Sequence, residues 1–186
     1  MSPFRWVTPD SLGALHLQLS ENQTRMANTM KIEIAPEWDE LERIRLDAGD
    51  FLEKHGFAEQ VRVATVMVLS ELLENSVKYG SFTHKTDKVS IILDLSGDHI
   101  TVEVTNPIAE SSLPNLDKLD KTIQWVRGFQ DPFEAYVKRL REISKKPLDD
   151  KESGLGIVRI AYEGKVALDF FVSDKDLLTV SAVRNI

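Results

Sequence analysis

The sequence contains no cysteine among its 186 residues. This absence excludes disulfide bonds, thiolate metal ligands and a cysteine nucleophile. The four histidines, His16, His55, His84 and His99, are scattered along the chain, and no two of them have the spacing of metal ligands. A zinc site or a cysteine-dependent enzyme is therefore not expected.

Long hydrophobic runs and an excess of positive charge are also missing. The longest apolar run, 63–69, is far shorter than the roughly 18–20 residues that span a bilayer. The net charge is -7, whereas nucleic acids and anionic membranes favour basic surfaces. We expect neither kind of partner. The first ten residues are mixed and polar and do not resemble a signal peptide, so the cytoplasm is the expected compartment.

The length and composition fit one ordinary globular domain over residues 1–186, without internal repeats. Alternating and helical hydrophobic patterns predict its elements. In chain order these are an edge hairpin at about 12–34, a helix at 36–55, a central helix at 61–80, a hairpin of strands 89–95 and 100–105, helical patches at 116–126 and 132–143, a helix from 154 to about 162, and closing strands 166–172 and 177–183. Because strands and helices are segregated, we expect an α+β fold: a two-layer sandwich whose mostly antiparallel sheet is covered on one face by helices.

The central helix carries a polar stripe. Its first half is apolar nearly all round, which a helix tolerates when it is packed on several sides. Its second half places Glu71, Glu74, Asn75 and Lys78 at spacings of three, four and seven, on one side of the helix. The stripe either forms the floor of a polar site or is solvated where the helix reaches the surface.

Two further features could carry chemistry. The amide oxygen of Asn75 suits Mg²⁺, and a carboxylate one turn earlier, Glu71, could deprotonate a hydroxyl beside that ion. Gly154 and Gly156 open a helix, where backbone amides can approach a phosphate. A glycine pair at this position is equally compatible with a routine turn. The long connection 106–153 is of the length that usually serves a function or holds its own helices.

In this order, the segments resemble the histidine-kinase-like (GHKL) ATPase superfamily, and within it the small serine/threonine kinases of bacterial partner-switching systems, the anti-sigma-factor kinases. The segment 69–78, LSELLENSVK, resembles the N box of that family, and Gly154-Leu155-Gly156-Ile157 resembles its second glycine box. The resemblance covers roughly residues 31–183. It implies a Bergerat-type ATP-binding fold.

The resemblance also implies roles for individual residues. Asn75 would hold Mg²⁺, and Glu71 would be the general base for the attacking hydroxyl. Lys78 would lie near the phosphates, and the connection 106–153 would be the lid over the site. The glycine box, Gly154, Leu155 and Gly156, would bind the triphosphate.

One position departs from the family. The superfamily usually has Asp-x-Gly-x-Gly after the second hairpin strand, and its Asp accepts a hydrogen bond from the adenine amino group. Here the chain reads Asn106-Pro107-Ile108-Ala109. Asn106 can still accept through its amide oxygen, but the bond is no longer charge-assisted. The missing glycines also remove backbone freedom at the hinge of the lid.

Three functions follow as alternatives. The leading hypothesis is a kinase that transfers the γ-phosphoryl group of ATP to a Ser or Thr of a small bacterial regulatory protein resembling an anti-sigma antagonist. A sigma factor as a further partner, and a homodimer, belong to the same hypothesis. The rival is a non-catalytic interaction module on the same fold, and a third option is a simple ATPase. The aromatic residues of the lid, Trp125, Phe129, Phe133 and Tyr136, are expected to pack back onto the sheet, with a docking or dimer surface as the alternative.

Overall fold

The computed structural model describes residues 28–145 and 154–186. This part of the chain forms five strands and five α-helices. The strands are β1 (Thr29–Ile34), β2 (Val89–Ser96), β3 (His99–Pro107), β4 (Ala167–Val172) and β5 (Leu177–Asn185). The helices are α1 (Trp38–Lys54), α2 (Glu59–Tyr79), α3 (Leu113–Arg127), α4 (Pro132–Ile143) and α5 (Leu155–Gly164).

The five strands form one antiparallel sheet in the order β1-β2-β3-β5-β4. The β2–β3 hairpin closes at Ser96 opposite His99, and Gly97 in the turn has a φ of +59°. Glycine adopts this left-handed conformation at little cost, which explains the tight turn. The predicted strand at 12–19 lies outside the described residues, and within these β1 is an edge strand of the sheet.

The inner face of the sheet is apolar because alternate residues of each strand point the same way. Ile100, Val102 and Val104 of β3 are buried, and they pair laterally with residues of β2 and β5. The helices cover this face, with α2 packed against β2 and β3. The predicted α+β sandwich is confirmed.

The central helix α2 is packed on several sides, which explains its nearly all-round apolar first half. It contacts α1, α5 and the sheet. Leu69 and Leu73 are completely buried, and Val68 lies so close to Gly164 of α5 that a Cβ on this glycine would come within 2.4 Å of it. The helix therefore forms the middle of the core and, in its second half, a wall of the site described below.

Most predicted boundaries lie within two or three residues of the observed ones. Helix α1 ends before Gly56, whose φ is +78°. Helix α3 begins three residues earlier than predicted because Pro114 fits its first turn. Among the described residues, no helix is both long and apolar enough to cross a membrane.

Candidate functional site

A cavity of about 320 Å³ lies between α2, the sheet, α3 and the start of α5. Its size is in the range of small-molecule sites, roughly 300–1,000 Å³. One part of its lining is apolar, with Leu72 from α2, Val104 and Val180 from the sheet, and Leu116 and Leu119 from α3. The cavity thus combines an apolar wall with the polar groups of α2 and α5.

All four residues of the polar stripe of α2 line this cavity. The side chain of Glu71 is 22% exposed, whereas that of Glu74 is 45% exposed and Lys78 is exposed. Glu71 and Asn75 therefore form the enclosed part, and Glu74 and Lys78 the outer part. The Nζ of Lys78 lies 4.8 Å from the centre of the Tyr79 ring, which also borders the cavity.

Two arginines from neighbouring helices hold the two carboxylates of the stripe. Arg159 of α5 donates from Nη1 to Oε1 of Glu71 at 3.1 Å and from Nε to Glu163 at 3.0 Å. Arg45 of α1 donates to Glu74 at 2.6 Å and to the hydroxyl of Ser70 at 2.9 Å. These contacts fix the acidic side of the cavity from two directions.

Burial raises the pKa of Glu71 above its ordinary value, because removal from water disfavours the charged form. The guanidinium of Arg159 acts in the opposite direction, and the negative charge of Glu74 adds to the effect of burial. The result is a carboxylate with increased proton affinity at the edge of a cavity.

Gly156 lies close to the side chains of both Glu71 and Asn75. A Cβ atom on Gly156 would lie 2.7 Å from Oε2 of Glu71 and 3.9 Å from Nδ2 of Asn75. Within the described part of the chain, this Nδ2 is buried without a hydrogen-bond partner. Buried polar atoms normally have partners, and an unpaired one at a cavity is often completed by a ligand or an ordered water.

The glycine segment sits where an anion could be bound. Gly154, with a φ of +59°, is the N-cap of α5, and both Gly154 and Gly156 line the cavity. Leu155 does not line it. The amide groups at the start of a helix and the helix dipole favour negative charge. The structure thus brings the two separate sequence motifs, 69–78 and 154–157, to one place, where Gly156 lies beside Glu71 and Asn75.

Asn106 is not brought into this group. It is only 4% exposed and does not line the cavity, although Val104 and Ile108 on either side do. Its side-chain amide donates to the carbonyl oxygen of Pro107 at 3.0 Å. Because β3 continues to Pro107, two residues beyond the prediction, Asn106 is a sheet residue opposite Leu178 of β5.

The described part of the lid, up to residue 145, is two helices packed on α5. Leu116, Lys118, Leu119 and Thr122 of α3 line the cavity. Two of the lid aromatics pack against helix α5. The rings of Tyr136 and Phe133 lie 5.1 and 5.2 Å from the ring of Tyr162. Trp125, Phe129 and Tyr136 are partly buried against the core, whereas Phe133 is 45% exposed.

Sequence reasoning missed two residues of the site, Trp38 and Arg159. Trp38, the first residue of α1, is 60% exposed and borders the cavity. Only its position beside a helix start was visible in the sequence. Arg159 follows Gly156 by three residues, a spacing that places both on one side of α5 and could have suggested its role.

The described residues contain no group of three or more His, Asp or Glu side chains that could hold a metal ion. A metal at Asn75 would therefore depend on ligands from a bound molecule and water. Mg²⁺ is usually bound in this way, through one or two protein oxygens together with substrate phosphates.

Comparison with known proteins gives a fold relationship. No protein-family model matches the sequence, and no curated protein matches it significantly. The chain is similar to a protein in the crystal structure of the SiaB–SiaC complex from Pseudomonas aeruginosa, with a TM-score of 0.63. The alignment covers 94% of this chain and 100% of that chain at 16% sequence identity. At this identity, the similarity establishes a shared fold.

Proposed function

We propose that this protein is an ATP-binding regulatory protein that transfers the γ-phosphoryl group of ATP to a Ser or Thr hydroxyl of a partner protein. The observation that carries the proposal is the meeting of Glu71 and Asn75 of α2 with Gly156 of α5 at one cavity. A base, an amide ligand and a helix N-terminus are the parts that phosphoryl transfer requires, since its catalysis is mostly positioning and charge stabilisation.

The residues fit Mg·ATP. The apolar wall formed by Leu72, Val104 and Val180 suits a purine ring, and the amides at the start of α5 suit its phosphates. Asn75 would hold Mg²⁺ through its amide oxygen, and Lys78 would lie near the phosphates. The ion would supply neutralisation of the charge on the β- and γ-phosphates.

In the proposed reaction, the oxygen of the partner's hydroxyl forms a bond to the γ-phosphorus, and the bond from that phosphorus to the β,γ-bridging oxygen breaks. ADP leaves with the electron pair of the broken bond. Glu71 accepts the proton of the hydroxyl, which its increased proton affinity favours. The amides before and within the first turn of α5 stabilise the negative charge of the transferring group.

A protein partner is supported by the structural neighbour, which was solved in a complex of two proteins, SiaB and SiaC. By the sequence resemblance to anti-sigma-factor kinases, the partner here is a small regulatory protein of the anti-sigma-antagonist type. A sigma factor as a second partner and a homodimer belong to the same proposal.

The first test is a thermal-shift titration with Mg·ATP. Binding to the folded state alone stabilises it by about 2.7 kcal/mol when the ligand is at 100 times its Kd. The wild type should melt at a higher temperature with Mg·ATP than with ATP and EDTA. Asn75→Ala should abolish the Mg²⁺-dependent part of this shift, while Asn185→Ala, at an exposed strand end, should retain it.

The second test is phosphoryl transfer to the partner protein. Glu71→Ala should still bind Mg·ATP, because Glu71 contributes to the chemical step. Transfer should fall by about 10²–10⁴-fold, the usual contribution of a general base. Transfer at the wild-type rate in this variant would remove Glu71 from the mechanism.

The alternative is a non-catalytic interaction module on the same fold. It is favoured by one observation: Asn106, at the position expected to read adenine, faces its own neighbouring carbonyl and does not line the cavity. The absence of a Mg·ATP-dependent shift at millimolar nucleotide would support a nucleotide-free module, and binding of Mg·ATP without transfer to the partner would support a nucleotide-gated one.

A further inference from the structure

The contact between Arg159 and Glu71 joins the two helices that form the polar part of the cavity. Arg159 uses two edges of its guanidinium: Nη1 donates to Oε1 of Glu71 at 3.1 Å, and Nε donates to Oε2 of Glu163 at 3.0 Å. Glu163 lies one turn along the same helix and thus anchors the arginine. The arginine in turn reaches across to α2.

Helix α5 contacts both oxygens of the Glu71 carboxylate. Oε1 accepts from Arg159, and Oε2 lies against the backbone at Gly156, where a Cβ would come within 2.7 Å. The orientation of this carboxylate is therefore set by α5, although Glu71 belongs to α2. The helix whose start is proposed to bind the phosphates also locates the proposed base.

We propose that Arg159 is a positioning residue for Glu71, which keeps the carboxylate charged and directed so that it can accept the proton of the partner's hydroxyl. This inference rests on the proposed function. The motifs of the sequence assign no role to Arg159, and it does not itself line the cavity.

Charge supports this role. Burial and the charge of Glu74 favour protonated Glu71, and Glu163 of α5 adds to this effect at longer range. Arg159 is the cation that opposes them. Arg45 of α1 binds Glu74, and Lys78 and Lys118 border the same cavity. Arg159 thus favours the charged form of Glu71, the form that can accept a proton.

If the ion pair between Arg159 and Glu71 served stability alone, its loss would be seen in the free energy of unfolding. The side chain of Arg159 is 41% exposed, and exposed ion pairs contribute little to stability, about 0–1 kcal/mol. Removal of the arginine should therefore leave folding nearly unchanged. Its effect should be seen in the titration of Glu71 and in the pH dependence of transfer.

The test is a ¹³C NMR titration of the side-chain carboxyl of Glu71 in the full chain without nucleotide. Arg159→Gln should raise the pKa of Glu71, and Arg159→Lys should restore most of the wild-type value. Glu163→Gln should shift the pKa in the opposite direction, because a neighbouring negative charge is removed. Arg43→Gln is the matched control: Arg43 also bridges two carboxylates on an exposed helix face, Glu40 and Asp47, and should change nothing.

Activity provides the second readout. In Arg159→Gln, the acidic limb of the pH profile for phosphoryl transfer should move to higher pH, and kcat should fall about tenfold because the carboxylate of Glu71 is no longer held in place. The KM for Mg·ATP should stay within about twofold. Arg159→Lys should recover most of kcat.

The outcomes separate the two proposals. An unchanged titration of Glu71 in both Arg159→Gln and Glu163→Gln overturns the inference, even if the wild type is an active kinase. Failure of the wild type to bind Mg·ATP overturns the proposed function, whatever Glu71 does. If Arg159→Gln does not fold, the other two variants still decide the question. The pKa of Glu71 should stay near the wild-type value in Arg159→Lys and should fall in Glu163→Gln.

Discussion

At the scale of single residues, Glu71 is where the electrostatics of the site converge. It is mostly buried, bound by Arg159 and close to a second carboxylate, Glu74. The increased proton affinity that results is useful in a base, but it disfavours the charged form in the folded protein. The site therefore carries a cost in stability at neutral pH.

The pH dependence of stability follows from this cost. A raised pKa in the folded state means that the folded protein binds the Glu71 proton more tightly than the unfolded chain. The penalty is absent below the ordinary value of 4.5, grows as the pH rises through the interval up to the raised pKa, and is complete above it. Glu71→Gln should thus melt at a higher temperature than the wild type at neutral pH, and this gain should vanish in acid.

Calorimetry across this pH range measures the effect. Glu33→Gln, the same exchange at an exposed residue of β1, serves as the control and should leave the melting temperature nearly unchanged. A gain for Glu71→Gln that stays constant down to the acid end would show that Glu71 has no raised pKa.

The residues of the site that could be predicted are those whose relation is local in the sequence. The four-residue step from Glu71 to Asn75 fixes both on one side of a helix, and Gly154 and Gly156 mark a helix start by their type. Arg159 and Trp38 could not be predicted, because their places depend on how α5 and α1 pack against α2. Asn106 was predicted to follow the strand that ends at residue 105, but β3 continues to Pro107 and therefore includes Asn106.

At the scale of elements, the contact between α5 and α2 depends on glycines. Gly156 allows the carboxylate of Glu71 to lie against the helix backbone, and Gly164 allows Val68 to pack closely at the other end. Both ends of α5 therefore lie close to side chains of α2. A side chain at either glycine must displace a group of α2.

Gly156→Ala tests this contact. The added Cβ would meet Oε2 of Glu71 at 2.7 Å, so the carboxylate must move, while alanine itself favours a helix by about 1 kcal/mol. We expect a net change in the free energy of unfolding within about 1 kcal/mol, together with at least tenfold weaker Mg·ATP binding or transfer. Denaturant unfolding and nucleotide titration measure the two quantities.

Gly49→Ala in α1 is the control, because no atom lies within 4 Å of the position that an added Cβ would take there. This exchange should stabilise the protein by about 0.5–1 kcal/mol and leave nucleotide binding unchanged. Equal behaviour of the two alanine variants would contradict the close contact at Gly156.

The elements themselves were largely predictable because their hydrophobic periods are regular. The strand β3 alternates strictly over 100–105, β2 alternates except at Ile92, and α1 presents one apolar face. The lid was harder: its two helices were visible as patterns, but their packing on α5 was not, since the aromatic rings at Phe133 and Tyr136 fit either a helix or a sheet as partner. Only the tertiary contact with Tyr162 distinguishes these possibilities.

At the scale of the whole molecule, the sheet and the helices share one core. Buried side chains from α1, α2, α5 and the three central strands form a single cluster, which also contains Ile123 and Ala135 of the lid. One continuous core predicts cooperative unfolding of the described elements.

Leu73→Ala tests this expectation. Leu73 is fully buried in the middle of α2, and a Leu→Ala exchange in a core costs about 2–5 kcal/mol. Far-UV and near-UV circular dichroism should report the same lowered midpoint. Leu46→Ala, at a residue that is 63% exposed on α1, should change stability by less than about 0.5 kcal/mol. Separate midpoints for the two signals would indicate that the lid and the sandwich unfold independently.

The positions of the tryptophans make them useful intrinsic fluorescence probes. Trp38 borders the cavity. Trp125 belongs to α3, and its ring lies near Lys138 and Arg139 of α4. The fluorescence of Trp38 should respond to a molecule bound in the cavity, and the fluorescence of Trp125 should respond to a change in the packing of α3 against α4. With Trp6 and one of the other two tryptophans replaced by phenylalanine, two single-tryptophan variants would report on the cavity and on the packing of α3 against α4 as separate fluorescence signals, without an attached dye.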